Sequence, residues 1–204
     1  MRLLVLGATG GIGQFLVQLA LERGHEVTAF VRSPQKITLR HERLRTVTGD
    51  LLNSTQLAQV LTGQNAVLSA FGPAVIRRIT TRRDFGRALA FAMRQANVQR
   101  VMLVSSALLF PKVGLLGAIL RRTLCKNIVP DAAGMESEIS QDGLEWTIVR
   151  PPRLTNGRLT QTYRVANGCL PASGAVISRA DVADFMLNET EKPMHCRQIV
   201  GLAS

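Results

Sequence analysis

The chain has 204 residues, 46% of them hydrophobic, and carries 25 Lys and Arg against 14 Asp and Glu, a formal net charge of +11. That length suits one domain with a sizeable core, and apolar residues spread along the whole sequence exclude an intrinsically disordered chain. The charge, nearly all of it arginine, favours anionic partners: phosphate cofactors, carboxylate-bearing substrates, nucleic acid or an acidic membrane surface. The arginines are dispersed and aromatics that could stack on bases are few, which argues against a specific nucleic-acid site. No stretch reaches the length of a membrane span without charges or turn residues, and the apolar start lacks a leader cleavage site. Cys125, Cys169 and Cys196 are scattered with neither metal nor disulfide spacing, which reads as reduced thiols in a cytoplasmic protein.

Residues 3–13, LLVLGATGGIG, read as a buried strand, a tight turn and the start of a helix. Gly7 allows the sharp turn at the strand end, Gly10 lets backbone N–H groups approach a phosphate, and Gly13 permits close helix-on-strand packing. The pattern Ile12, Leu16, Leu19, Ala20 continues as a helix, with Gly24 as its stop and Glu26–Val31 as the second strand. An NAD-selective protein places Asp or Glu at the end of that strand to bond the ribose hydroxyls. This chain has Arg32 and then Ser33, and a guanidinium matches a 2′-phosphate in charge and forked geometry, which favours NADP over NAD.

Leu44–Thr48 is the third strand, ending in Gly49-Asp50. Asn53 or Ser54 caps a helix running to about Leu61, and Ala66–Ala70 is the fourth strand. A helix from about Thr81 to Ala96 buries Phe85, Leu89, Ala92 and Ala96. Arg100–Ser105 and Trp146–Arg150 are the fifth and sixth strands, separated by a helix with Met135–Gln141 as its core and Gly143 as its stop. Ser178 with Asp181 caps a helix over Arg179–Asn188, and Gln198–Gly201 is the closing strand. The alternation predicts a single α/β domain over residues 1–204, a Rossmann-like, doubly wound parallel sheet with helices on both faces. Two segments interrupt it after strand ends, where ligands bind in such sheets. Leu108–Val129 is apolar and basic together, a pocket lid or, over Leu115–Leu124, a membrane-surface or partner helix. Pro151–Val176 is an irregular excursion with room for a small hairpin.

GATGGIG, Arg32, Gly49-Asp50, Val104-Ser105-Ser106, Trp146–Pro151 (WTIVRP) and Ile177–Ala183 (ISRADVA) together resemble the atypical short-chain dehydrogenase/reductases. Within that group the chain is similar, over almost its full length, to the NAD(P)H-binding branch that includes the biliverdin-IXβ and flavin reductases. The resemblance implies that Gly7, Thr9, Gly10, Gly11, Ile12 and Gly13 hold the pyrophosphate of NADP, and that Arg32 and Ser33 hold its 2′-phosphate. It implies that Asp50 and Leu51 border the adenine and that Ala70, Phe71 and Gly72 pass beside the ribose. Ser105, Ser106, Pro151, Pro152, Arg153 and Leu154 would then flank the nicotinamide. Biliverdin-IXβ reductases present a histidine where this chain has Arg153, a departure that removes a proton donor.

The Tyr–Lys pair of the wider group is absent, because Asn167 stands four positions after the single tyrosine, Tyr163. His25, His41 and His195 read as surface residues. Ser106, which can orient a ligand, and Arg153, charged at any ordinary pH, remain as the candidate catalytic residues. That pair suits hydride transfer to an acceptor that takes its proton from water: a flavin, quinone or bilin, anionic and aromatic or conjugated. Arg121, Arg122 and Lys126 on the lid would suit an anionic tail. The alternative is a non-catalytic NADP(H)-binding redox sensor or assembly factor.

Overall fold

β1 (Arg2–Leu6) is buried at every position but its first, because helices cover both faces of the sheet it belongs to. Leu3 and Val5 point into one core with Leu16 and Ala20 of α1 (Gly11–Glu22) and Val182 and Met186 of α5 (Arg179–Glu191). Leu4 and Leu6 point into the other. There they meet Leu57 of α2 (Ser54–Leu61), Phe85 and Leu89 of α3 (Thr81–Gln95), and Ile139 of α4 (Ile128–Ser140). One strand alternating into two separate cores is what a parallel sheet buried on both faces requires. The computed structural model describes residues 1–72, 81–111, 128–140 and 143–204. Most of the expected 108–129 lid, with Arg121, Arg122 and Lys126, lies outside the described residues.

The other strands of the sheet are β2 (Glu26–Val31), β3 (Leu44–Thr48), β4 (Ala66–Ser69), β5 (Arg100–Val104), β6 (Glu145–Arg150), β8 (Arg164–Asn167) and β10 (Gln198–Ala203). They form an eight-stranded sheet of order β3-β2-β1-β4-β5-β6-β10-β8, parallel throughout except for β8 against β10. The chain moves outward from β1 to β3 on one side and then returns to β4 on the other. That reversal opens a crevice beyond the carboxyl ends of β1 and β4. This is the Rossmann-like doubly wound α/β architecture that the alternation predicts. No helix among the described residues is long and apolar enough to cross a membrane.

Local signals set most boundaries. Asn53 Oδ1 accepts the Gln56 N–H at 3.0 Å and Ser178 Oγ accepts the Asp181 N–H at 2.9 Å, so both expected caps form. Gly24 (φ +85°) and Gly143 (φ +67°) take the left-handed conformation that ends a helix. Three expectations need correction. Residues 151–176 form no hairpin of their own: β7 (Arg153–Thr155) pairs in parallel with β9 (Val176–Ser178), while β8 joins the main sheet. The helix expected around Met135 begins at Ile128, so Ile128 and Val129 belong to α4 rather than to the 108–129 segment. His25 is buried rather than superficial, because its ring bridges the Met1 amino group (3.2 Å) and Glu191 (2.8 Å).

Three backbone segments meet where β1 turns into α1. A Cβ on Gly13 would overlap the Gly7 carbonyl oxygen, and one on Gly7 (φ +78°) would lie 2.8 Å from the Ala70 carbonyl oxygen. Helix propensity alone favours Ala over Gly at position 13 by about 0.5–1 kcal/mol, whereas overpacking against backbone costs about 1–3 kcal/mol. Gly13→Ala is therefore expected to lower the melting temperature by several degrees, measured by calorimetry. An unchanged or raised melting temperature would show that the contact yields freely.

Candidate functional site

The strand order lays the segments that follow the carboxyl ends in one row: Asp50 after β3, Arg32 after β2, Gly7 after β1, Ala70 after β4, Ser105 after β5 and Pro151 after β6. These are the positions that the sequence motifs single out, brought side by side by topology rather than by proximity in sequence. At the centre of the row, α1 follows Gly10, which offers no side-chain cap, and has no acidic residue in its first turn. Its leading N–H groups and the positive end of its dipole are thus open to an anion. Gly10 N–H closes the turn onto the Gly7 carbonyl at 2.9 Å, and Thr9 is half-buried in that turn.

At the β2 end, Arg32 is exposed and has no ion-pair partner among the described residues, with Ser33 half-buried beside it. The turn after β3 is fixed by Asp50, whose Oδ1 accepts the Leu52 N–H at 3.0 Å and whose own N–H donates to Gln56 Oε1 at 2.9 Å. Leu51 of this turn is buried against the α2–α3 core. Phe71 leans on Phe85 with ring centroids 4.7 Å apart, which seats the segment after β4.

A cavity of about 250 Å³ lies at the crevice, lined by Gly10, Gly11, Ile12, Ala70, Phe71, Gly72, Val104, Ser105, Met135, Leu154, Arg82 and Arg179. A larger hollow of about 1170 Å³ lies under residues 34–46, lined almost wholly by that single loop, and brings none of the glycine-turn residues together. The smaller cavity is the candidate site, because its wall joins elements distant in sequence. Ser105 Oγ is buried there with no hydrogen-bond partner. Ser106 is not on the wall: its Oγ accepts the Leu108 N–H at 3.3 Å and caps the short turn Ala107–Leu109. Arg153 is not on the wall either, since strand alternation turns it away where Leu154 faces in, and it is exposed. Pro151, buried, and Pro152, half-buried, are not on the wall.

Arg82, Arg179, Met135 and Val104 line the cavity without having been singled out by the sequence reading. Arg179 lies inside the ISRADVA motif, where the capping signal drew attention to Ser178 and Asp181 instead. Arg82 opens α3, which is docked on α4 by Asp131: its carboxylate accepts the Arg82 and Arg83 N–H groups at 3.0 Å. Beneath Met135, Arg150 pairs with Glu136 (Nε–Oε1 3.0 Å) and stacks over Phe110 at 4.9 Å, tying β6 to α4. Among the described residues, the cavity wall contains no carboxylate, histidine or tyrosine. Tyr163 is spent elsewhere. Burial, reinforced by its 2.9 Å bond to Asp184, pushes its phenol above the ordinary range.

An open sheet with a glycine turn, an uncapped helix and a cavity at the strand reversal defines a nucleotide-binding protein of the Rossmann type. Residues 7–193 match the model of the NAD(P)H-binding family, and the chain belongs to that family. It is 34% identical over 117 residues to the 3-beta-hydroxysteroid dehydrogenase of Mycolicibacterium neoaurum, a match covering 52% of this chain and 32% of that protein. The chain thus spans about a third of that relative. It is 28% identical over 206 residues to the uncharacterized protein YwnB of Bacillus subtilis, covering 96% of this chain and 94% of the other. Among solved structures, a candidate NADH-flavin reductase of Streptococcus pneumoniae superposes with a TM-score of 0.80 at 25% identity, covering 100% of this chain and 99% of that one. The fold is shared with the anaerobilin reductase ChuY of Escherichia coli (TM-score 0.81, 22% identity, 100% and 97% covered). It is also shared with a Veillonella parvula short-chain dehydrogenase/reductase in complex with NADP (TM-score 0.84, 22% identity, 100% and 94% covered).

Asp181 fastens the excursion to the start of α5. Burial pushes its carboxyl up, but the Thr160 and Gln161 amides (2.7 and 3.0 Å) and the Ser178 and Thr160 hydroxyls (2.8 and 3.0 Å) outweigh that and hold it below its ordinary value. A carboxyl so held contributes stability that is present above about pH 4, its unfolded range, and is lost as pH falls through the folded value. Asp181→Asn is expected to lower the melting temperature at pH 7 and to approach the parent below pH 4. A deficit constant from pH 3 to pH 7 would contradict this.

Proposed function

We propose that this protein is an NADPH-dependent reductase that transfers hydride to a conjugated acceptor such as a flavin, quinone or bilin. The observation that carries this reading is the cavity wall: an uncapped helix terminus and two arginines, with no carboxylate, histidine or tyrosine among the described residues to act as acid or base. The residues present fit a dinucleotide, because the glycine turn leaves open backbone N–H groups and Arg32, at the next strand end, has no ion-pair partner among the described residues. When bound, NADPH supplies the hydride.

On this reading the Gly10–Gly13 turn holds the diphosphate, and Arg32 with Ser33 holds the 2′-phosphate by charge-assisted bonds. Asp50 and Leu51 border the adenine, and Ala70–Gly72 pass the ribose. Ser105 offers its unpartnered hydroxyl to the reacting end, and Leu154 with Met135 keeps water from it. Ser106 holds the turn that follows. Arg153, exposed at the mouth, attracts an anionic acceptor, and Arg82 and Arg179 add positive charge near the anion that forms. Water supplies the proton. The exposed thiols Cys169 and Cys196 suit a reducing cytoplasm. The flavin and bilin reductases among the structural neighbours support the acceptor class, and the NADP complex supports the cofactor.

Mixing the protein with NADPH and FMN or a quinone is expected to bleach the nicotinamide absorbance, and Arg32→Gln to cut the preference for NADPH over NADH about tenfold or more. Arg153→Ala is expected to slow turnover of FMN more than that of a neutral quinone. Binding of NADPH without turnover across a broad panel of flavins, quinones and bilins would replace this reading with a non-catalytic sensor or assembly role.

A further inference from the structure

Gly11 is a glycine for a reason its neighbours do not share. Its backbone is ordinary helix, yet a Cβ there would come within 2.6 Å of Arg179 Cδ and 2.7 Å of Nε. The Arg179 side chain therefore crosses directly over the first turn of α1, beside the N–H groups that no side chain caps. Its Nη1 donates to Asn156 Oδ1 at 2.6 Å, and among the described residues it forms no ion pair. The nearest acid in sequence, Asp181, is already saturated by Thr160, Gln161 and Ser178. A guanidinium and the positive end of a helix dipole thus converge on one side of a cavity whose wall, among the described residues, holds no carboxylate. Ser105 Oγ, buried and without a partner, lies on the same wall. Two positive features brought together without a counter-charge call for a ligand group carrying more than one negative charge.

We propose that Arg179 binds the diphosphate of the dinucleotide, closing from the C-terminal half of the chain the cradle that Gly10–Gly13 build from the N-terminal half. This rests on the reading of the cavity as the NADP(H) site. Asn156 acts as a positioning residue: its 2.6 Å bond holds the guanidinium over Gly11 before the ligand arrives. Because Asn156 belongs to the excursion between β6 and β9, the same bond ties the segment that would face the acceptor to the cofactor cradle.

Calorimetric titration of the full chain with NADPH and with adenosine 2′-monophosphate, which carries the 2′-phosphate and no diphosphate, separates this contact from that of Arg32. Arg179→Gln is expected to weaken NADPH binding roughly ten- to a hundredfold, the range of a hydrogen bond to a charged group, with adenosine 2′-monophosphate unaffected. Arg179→Lys, which keeps the charge and loses the fork, is expected to recover part of the loss. Asn156→Ala is expected to give a smaller loss confined to NADPH. An Arg179→Gln protein that binds NADPH as tightly as the parent overturns the proposal. So does one that loses both ligands equally, since Arg179 would then act through the fold. A parent chain that binds neither ligand overturns the NADP(H) reading of the cavity as well.

Discussion

The close approach of three backbone segments at Gly7 is the constraint on which the rest depends. Gly13 of the first helical turn sits on the Gly7 carbonyl, and Gly7 in turn sits against the Ala70 carbonyl at the end of β4. No side chain separates the end of β1, the start of α1 and the end of β4. That contact fixes where the helix points, and with it the direction of the uncapped N–H groups. It also places Ala70–Gly72 beside the turn, so the crevice opened by the strand reversal becomes a walled cavity. Lengthening any of these contacts by the size of a methyl group would move the helix terminus relative to the strand ends, where on the proposed reading an anion meets several donors at hydrogen-bonding distance.

Around this contact the polar groups of the fold are largely used up in holding the scaffold. Arg100, buried between β5 and the end of α5, donates to Thr147 Oγ1, the Glu145 carbonyl and the Glu189 carbonyl, and burial lowers its pKa from the ordinary value. Glu189 collects the Met194 and His195 N–H groups, while Asp184 collects Arg23, Gln161 and Tyr163. His25, His195 and Tyr163 are therefore structural. What is left open at the cavity is cationic or a hydroxyl: Arg179 and Ser105 on its wall, with Arg32 along the same edge. On the proposed reading, such a site positions a charged cofactor and steadies an anion, and it leaves proton supply to water.

Much of the fold was legible because its signals are local. The apolar runs, the glycine turn, the Asn53 and Ser178 caps and the Gly24 and Gly143 stops are each decided within a few residues, and each appears where the sequence places it. The row of segments along the carboxyl edge of the sheet was legible through motifs, since every member follows a strand end. Contacts between distant segments were not. Nothing local in residues 151–176 says that β7 pairs with β9 and β8 with β10, because short half-exposed strands carry no strong alternation. His25 looked superficial because its partners, Met1 and Glu191, are joined only by tertiary packing. Arg179 was hidden for the same reason, since its significance lies in its contact with Gly11 across the whole length of the chain.

The most direct test is to follow the backbone amide resonances of residues 7–13 while NADPH is added to isotopically labelled protein. A dinucleotide seated on the α1 terminus predicts saturable shifts of the Gly11, Ile12 and Gly13 amides, reached at the same concentrations as shifts at Arg32 and Ser105. Saturable binding that leaves the amides of residues 7–13 unmoved would contradict it.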